Sequence, residues 1–440
     1  MPNQAELSRP TDPSLESEAK FVKAKPTSRR LGGLAGKGVA VAFAISTLAG
    51  CNNEAGAVGP NPRPTISNEP TPIVTQIPNT ESPSPSGTEI VIPSASPSSN
   101  PTESPSPSPT ETLSPEEKLL TPHLDDVAKK AGITRIGVEF TGNDYQRPDW
   151  ANLATEQFNS VTLDWGLDDW ATVEPSKGNF NFSIIDQQLP FLEANNLAIR
   201  GHSLVDVGGG SPQWLKDGHY SKAELKDILI NHVKTIVSRY KGVISEWVVV
   251  NEPYLNPYRT DDVFYNAFGY NYIDMAFKAA READPSAKLI YNDTENHRSD
   301  SGALTTSLTQ ETVKRLKSEG LIDMVGLEMH VDAGFHTTRQ DMINVMRSYG
   351  VPVAITEFDI DLNTLKGTTA QRFALQAQLA TDAVSACRES KVCKEITFWG
   401  IGDNSSWLEV AMGEKNADPT MFDNNLKPKP YYFAVRKALS

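Results

Sequence analysis

Cysteine is almost missing from this chain: 440 residues contain three, Cys51, Cys387 and Cys393. A small fold held by several disulfides and a multi-cysteine zinc site are therefore excluded. Tryptophan and histidine are missing from the first quarter, since all seven Trp fall between Trp150 and Trp407 and all seven His at or after His123. That quarter lacks the aromatic material for a core, and the first 115 residues hold 19 of the 31 prolines. A length prior of about 150 residues per domain would give three domains; the skew leaves one. Residues 117–440 have the size of a single barrel domain.

Positive charge is also scarce. The chain carries −14, with 41 Lys plus Arg against 55 Asp plus Glu, and the first 116 residues hold only 8 basic and 11 acidic side chains. Most of the acidic excess lies in the folded part, where no Lys/Arg cluster offers a nucleic acid a landing place. A neutral or weakly charged ligand is expected, and no nucleic acid. Long apolar runs are absent too. The continuous apolar stretch from Val39 to Gly50 is well short of the ~20 residues that span a bilayer, but it suits the core of a signal peptide.

What is present starts from that stretch. It follows Ser28-Arg29-Arg30 and ends Leu48-Ala49-Gly50-Cys51, which resembles the bacterial lipobox, whose Cys is lipidated and becomes the mature N-terminus. Residues 1–50 are thus expected to be an export signal of lipoprotein type. Residues 51–116 read as a lipidated Cys51 followed by a disordered Pro/Ser/Thr-rich linker, with runs such as Ser104-Pro105-Ser106-Pro107-Ser108-Pro109. Alternating proline favours extended polyproline II and cannot bury enough apolar surface to fold. The expected location is the extracytoplasmic face or surface of a bacterial cell, with the membrane reached through the lipid. Cys387 and Cys393 would pair in that oxidising compartment.

From 117 onward, apolar β-branched runs alternate with amphipathic stretches. The runs are Ile136–Phe140, Ser160–Asp164, Ala198–Val205, Trp247–Asn251, Lys288–Asn292, Met324–Met329, Val353–Phe358 and Glu395–Gly400. Helical periodicity appears at Ala223–Tyr240, Tyr272–Glu282, Gln310–Ser318, Gln340–Ser348 and Ala370–Ala386. Eight such units in series imply an α/β fold, a (β/α)8 TIM barrel with its parallel strands buried on both faces. Functional groups in such barrels gather at the C-terminal ends of the strands. Several strands here end in polar residues: His202 near strand three, Asn251-Glu252 at strand four, Asn292-Asp293 at strand five, His330 at strand six, Glu357 and Asp359 at strand seven, with Trp399 on strand eight.

Glu252 and Glu357 cap strands four and seven, on roughly opposite sides of the mouth. Two carboxylates facing each other across a cleft suit glycosidic bond cleavage, one protonated to assist the leaving oxygen and one ionised to attack the anomeric carbon. A separation of about 5 Å would give retention of configuration.

Trp247–Glu252 resembles the Trp-Asp-Val-Val-Asn-Glu strand of glycoside hydrolase family 10, the endo-β-1,4-xylanases. Phe158–Thr162, Gly201-His202-Ser203-Leu204-Val205, Tyr291-Asn292-Asp293, Ile355–Asp359, Phe398-Trp399-Gly400, Asp403, Ser406-Trp407 and Phe422-Asp423 through Lys429–Tyr432 match further motifs in the family's order. The resemblance covers roughly 130–440. It implies Glu252 as acid/base and Glu357 as nucleophile of a retaining endo-acting β-1,4-glycanase, a hydrolase most simply of xylan. Asn251 would hold the 2-hydroxyl of the sugar, His330 would hydrogen-bond Glu357, and Asp359 would orient that His. His202 would contact the same sugar, and Trp399 and Trp407 would wall it. The Cys387/Cys393 pair recurs in many members. No metal or organic cofactor is implied, and a monomer is expected.

The departures cluster on one side. The family's second strand runs on to Pro-Glu-Asn-x-Met-Lys-Trp, whereas this chain has Leu163–Trp170, one residue longer and without the Lys. After Leu204-Val205 the family's Trp-His is replaced by Asp206-Val207 and three glycines, and the Tyr-Asn after Asn292-Asp293 by Thr294-Glu295. The family's Gln two residues before the strand-six His is Glu328, which should raise the pKa of Glu357 by adding negative charge beside it. Segments 163–170 and 205–210 are thus expected to alter glycan preference. A β-glucanase or other β-glycosidase of the same barrel clan, and a non-hydrolytic glycan-binding surface lipoprotein, are the competing readings.

Overall fold

The computed structural model describes residues 119–440 except 141, 165, 207–210, 255–261, 300–303, 335, 336 and 411. The export signal, Cys51 and the Pro/Ser-rich linker lie outside the described residues. Among the described residues no helix is long and apolar enough to cross a membrane.

Eight strands form a closed parallel barrel in sequence order: β1 (Arg135–Phe140), β2 (Ser160–Leu163), β3 (Ala198–Gly201), β4 (Glu246–Asn251), β5 (Lys288–Thr294), β6 (Met324–Asp332), β7 (Val353–Asp361) and β8 (Cys393–Phe398). The sheet closes where Arg135 pairs with Glu395 and Val138 with Phe398. Every residue of β4 is buried, as expected of a strand with helices outside and packed side chains inside. The expected runs therefore locate all eight strands, but their ends shift. β3 stops at Gly201, so His202 and Leu204 lie beyond the strand, whereas β6 and β7 continue to Asp332 and Asp361 and carry His330, Glu357 and Asp359 inside them. Trp399 lies one residue past β8 and not on it; its backbone N–H donates to the carbonyl of Phe358 at 3.0 Å.

The outer helices begin where the sequence supplies caps. Ser221 and Glu224 form a capping box ahead of Lys222–Arg239, and Thr368 and Gln371 do the same for Thr369–Ser390, each satisfying donors that the first helical turn leaves open. Lys222–Arg239 buries Leu225, Ile228, Leu229, Val233, Ile236 and Val237 on one face. The helix Ser183–Ala194 escaped sequence reading because it contains Pro190, a residue that normally breaks the pattern. The Cys387 and Cys393 sulfurs are bonded, joining the end of the last long helix to the start of β8.

Inside the barrel the layers are unlike one another. Val248, Ile290, Met324 and Ala354 from β4–β7 make a small apolar plug separate from the main core. On the N-terminal side of it sits an ion cluster. Arg200 reaches Glu246 at 3.1 Å and Glu395 at 2.5 Å, Lys288 bridges the same two carboxylates at 2.8 and 3.1 Å, and Arg135 meets Glu246 at 3.0 Å. Burial pushes the Glu246 carboxyl up, but Arg200, Arg135 and Lys288 outweigh it and hold the group at about 2. A buried charge deprived of its partner costs far more than the intact pair contributes. We therefore expect Arg200→Met to lower the unfolding free energy by about 3 kcal/mol or more, measured by urea denaturation at neutral pH. The loss should shrink between about pH 4 and pH 2 as Glu246 takes up its proton in either state.

Candidate active site

The pleat of a strand sends successive side chains to opposite faces, so two adjacent residues reach the barrel interior only where the ladder is interrupted. β7 has such an interruption. Leu327 pairs with Ile355 and Glu328 with Glu357, leaving Thr356 as the extra residue. A second irregularity lies on β4 between Val248 and Val250, just before Asn251 and Glu252. Bulges of this kind re-aim side chains near functional sites. Here the result is that Thr356 and Glu357 both reach Asn292. The Thr356 hydroxyl donates to Asn292 Oδ1 at 2.5 Å, and Asn292 Nδ2 lies 2.8 Å from Glu357 Oε1, Glu328 Oε1 and Asn251 Oδ1 alike. Gly326 makes room for this hub, because a Cβ there would sit 2.0 Å from Asn292 Oδ1.

Glu252 follows β4 directly with φ +48°, a conformation that L side chains seldom adopt; its N–H donates to the Asn292 carbonyl at 3.1 Å. Strain of this kind persists where the surroundings over-determine it, and it concentrates at functional sites. Glu357 is flanked by His330, whose Nε2 lies 3.2 Å from Glu357 Oε2 while Nδ1 lies 3.0 Å from Asp359 Oδ2. Trp407 Nε1 donates to the same Asp359 oxygen at 2.7 Å. His202 Nδ1 stands 3.8 Å from Glu357 Oε1. The rings close round this pair: His202 to Trp399 at 5.3 Å, His330 to Trp399 at 6.2 Å and His330 to Trp407 at 5.0 Å between centroids. The structure thus brings together Asn251, Glu252, His202, His330, Glu357, Asp359, Trp399 and Trp407. Cys387 and Cys393 lie at the opposite end of the barrel, where β8 begins.

Electrostatics separates the carboxyls. Burial lowers the basicity of His330, but Asp359 and Glu357 outweigh it and raise the imidazole well above its ordinary value, which favours the cationic ring between the two carboxylates. Glu357 feels burial pushing it up; His202, His330 and Asn292 overcome this and hold it below the usual carboxylate range. The expectation that Glu328 would raise the pKa of Glu357 is therefore corrected. It is Glu328 that is pushed up, first by burial and then by Glu357 and Glu252. Having no cation of its own, it bears the repulsion.

Sequence reading missed Glu139. It lies in the middle of the apolar run of β1, is 3% exposed, and is driven well above the carboxylate range by burial and then by Glu357 and Asp359. An acid inside an otherwise apolar strand was the available signal. On the altered side, Trp170 is buried and structural. It stacks on His232 at 3.6 Å, and both share the carboxylate of Glu174. Asp164 is pushed well up by burial and then by Asp168, and Asp168 by burial to about 6; His202 Nε2 faces Asp164 at 3.8 Å. Among the described residues, Glu328, His330 and Glu357 are the one trio with ligand-type atoms all within 4.8 Å of one another. His330 and Glu357 are bonded to each other, and both carboxyls to Asn292.

An ionised carboxylate clamped between imidazolium and amide at one strand end, with a second carboxyl on a strained backbone across the hub, defines a barrel glycoside hydrolase. The model of glycosyl hydrolase family 10 matches residues 123–438, and the chain belongs to that family. Endo-1,4-beta-xylanase A of Phanerodontia chrysosporium is 38% identical over 274 residues, 60% of this chain and 64% of that protein. Endo-1,4-beta-xylanase B of Thermotoga neapolitana is 31% identical over 321 residues, 71% of this chain and 90% of that one. Among solved structures, xylanase 10B from Thermotoga petrophila in complex with xylobiose superposes with TM-score 0.65 at 31% identity, covering 72% of this chain and 97% of that one.

Replacing His330 by Asn removes the cation that holds Glu357 ionised, so the Glu357 pKa should rise. The acidic limb of the pH–rate profile is expected to move to higher pH by roughly one unit, read from kcat/KM between pH 3 and pH 8.

Proposed function

We propose that this chain is a retaining, endo-acting β-1,4-glycanase that hydrolyses xylan-type polysaccharide by double displacement, displayed on the outer face of a cell by a lipid on Cys51. The observation that carries the reading is the opposite charge assignment of neighbouring acids in one mouth. Glu357 is held ionised by His330, His202 and Asn292, as a nucleophile must be.

In the first step a Glu357 oxygen forms a bond to the anomeric carbon, the bond to the leaving oxygen breaks, and that oxygen takes the proton of Glu252. Loss of the Glu357 charge in the ester then lets Glu252 act as base. In the second step Glu252 accepts a proton from water, the water oxygen bonds to the anomeric carbon, and the ester bond breaks to return the Glu357 carboxylate. Asn251 sits beside this pair through Asn292 and is positioned to hold a sugar hydroxyl. Trp399 and Trp407 offer ring faces to the apolar C–H face of a sugar, and His202 offers a nitrogen.

The relatives named as endo-1,4-beta-xylanases support xylan as the first substrate to test. The carboxyls Asp164, Asp168 and Asp206, standing where the family has Lys, Trp and His motifs, support a changed preference among substituted or mixed-linkage β-glycans. Export and anchoring rest on the lipobox-like Leu48–Cys51 and the Ser/Pro tether, with residues 117–440 as the catalytic domain.

The test is a panel of linear xylan, substituted xylans, cellulose-type and mixed-linkage glucans scored for new reducing ends. Glu357→Ala should lose about 10³-fold or more on every responsive glycan. Equal release by wild type and variant would mean a binding protein, and strict preference for linear xylan would sink the altered specificity. Separately, Cys51→Ala should move the full-length protein from the detergent phase to the aqueous phase on Triton X-114 partition of expressing cells. An unchanged distribution would contradict the lipid anchor.

A further inference from the structure

Glu328 is almost fully buried in the mouth, 1% exposed, on β6 opposite Glu357 on β7 and Thr294 on β5. The charged and titratable groups facing it come from every neighbouring element: Glu357 from β7, Glu252 from the end of β4, Asp293 from β5, and His330 two residues along its own strand. The one cation among these, His330, is already shared between Glu357 and Asp359. Asn292 offers two amide hydrogens to three acceptors at 2.8 Å, those of Asn251, Glu328 and Glu357, and its own oxygen is taken by Thr356. Glu328 and Glu357 cannot both be ionised on one shared amide and an imidazolium that Asp359 also uses, since an uncompensated buried charge costs several kcal/mol. The other Glu328 oxygen, Oε2, is buried with no group donating to it, a setting that costs a carboxylate far more than a neutral carboxyl.

We propose that Glu328 works as a neutral carboxylic acid, a positioning residue that accepts from Asn292 on one oxygen and donates from the other to Glu252, tying the acid/base to the nucleophile through one amide. This deepens the glycanase reading and rests on it for its kinetic part. In that cycle Glu252 becomes anionic when the leaving oxygen takes its proton. A donor already in place then stabilises the new charge without reorganisation. Ionisation of Glu328 removes that donor and sets a second negative charge beside whichever of Glu252 and Glu357 is ionised. Activity is therefore lost on the alkaline side by a titration that belongs to Glu328, a device that a glutamine at this position would not have. The burial and neighbouring charges that push Glu328 up place that titration above the ordinary carboxylate range.

Two measurements test this. The infrared difference spectrum of wild type minus Glu328→Gln at pH 7 should show the C=O stretch of a protonated carboxyl, needing no turnover; Glu328→Met, also non-titrating, serves as second reference if the Gln variant does not fold. In the pH profile, Glu328→Gln should move the alkaline limb of kcat up by about one unit. Glu328→Ala, which keeps neither donor nor acceptor, should lower kcat about tenfold or more at pH 6 with KM within threefold. A missing band overturns the proposal, as does an alkaline limb at the same pH in wild type and Glu328→Gln. Wild type inert on every glycan overturns the glycanase reading and the positioning role with it, while the band still decides whether Glu328 is neutral.

Discussion

The amide of Asn292 is the contact on which the mouth of this barrel depends. One nitrogen stands at 2.8 Å from the groups of strands four, six and seven, so two acids and an amide that would otherwise repel or drift are fixed to one point. The requirement propagates outward. Gly326 must lack a side chain, Thr356 must turn inward, and β7 must break its pleat to let Thr356 and Glu357 face the same amide.

Charge is managed in opposite ways at the two ends of the barrel. At the N-terminal end Arg200, Arg135 and Lys288 surround Glu246 and Glu395; the cations win at Glu246, while Glu395 is pushed up, first by burial. At the C-terminal end carboxyls crowd around a single imidazolium. The balance there must be met by protons, and Glu357 takes the available positive charge while Glu139, Glu328 and Asp293 are pushed toward their neutral forms, in each case first by burial. That inequality among neighbouring carboxyls is what a reaction needing one ionised and one neutral acid requires.

Much of this was legible in the residues. Eight apolar runs separated by amphipathic stretches gave the barrel because strand burial on both faces leaves a pattern that a sequence carries. Glu252 and Glu357 stood out because each follows such a run directly. The rest depends on geometry that no run of letters encodes. The extra residue at Thr356 is invisible without its partner strand, so the convergence on Asn292 could not be read. The direction of the Glu328 effect was misjudged because proximity of two carboxyls says nothing of which one owns the neighbouring cations. Glu139 hid inside an apolar run, and Trp170, in a segment that reads as a sugar site, turns out to pack on His232.

The central claim, that Glu357 is the ionised nucleophile of a retaining reaction, is tested most directly by trapping. Incubation with a 2-deoxy-2-fluoro-β-xylobioside bearing a good leaving group, followed by peptide mass spectrometry, should find one glycosyl group per chain, on the peptide containing Glu357 and on that carboxyl. Label on another residue, or steady hydrolysis of a xylan oligomer with an α-configured first product and no trapped ester, would contradict it.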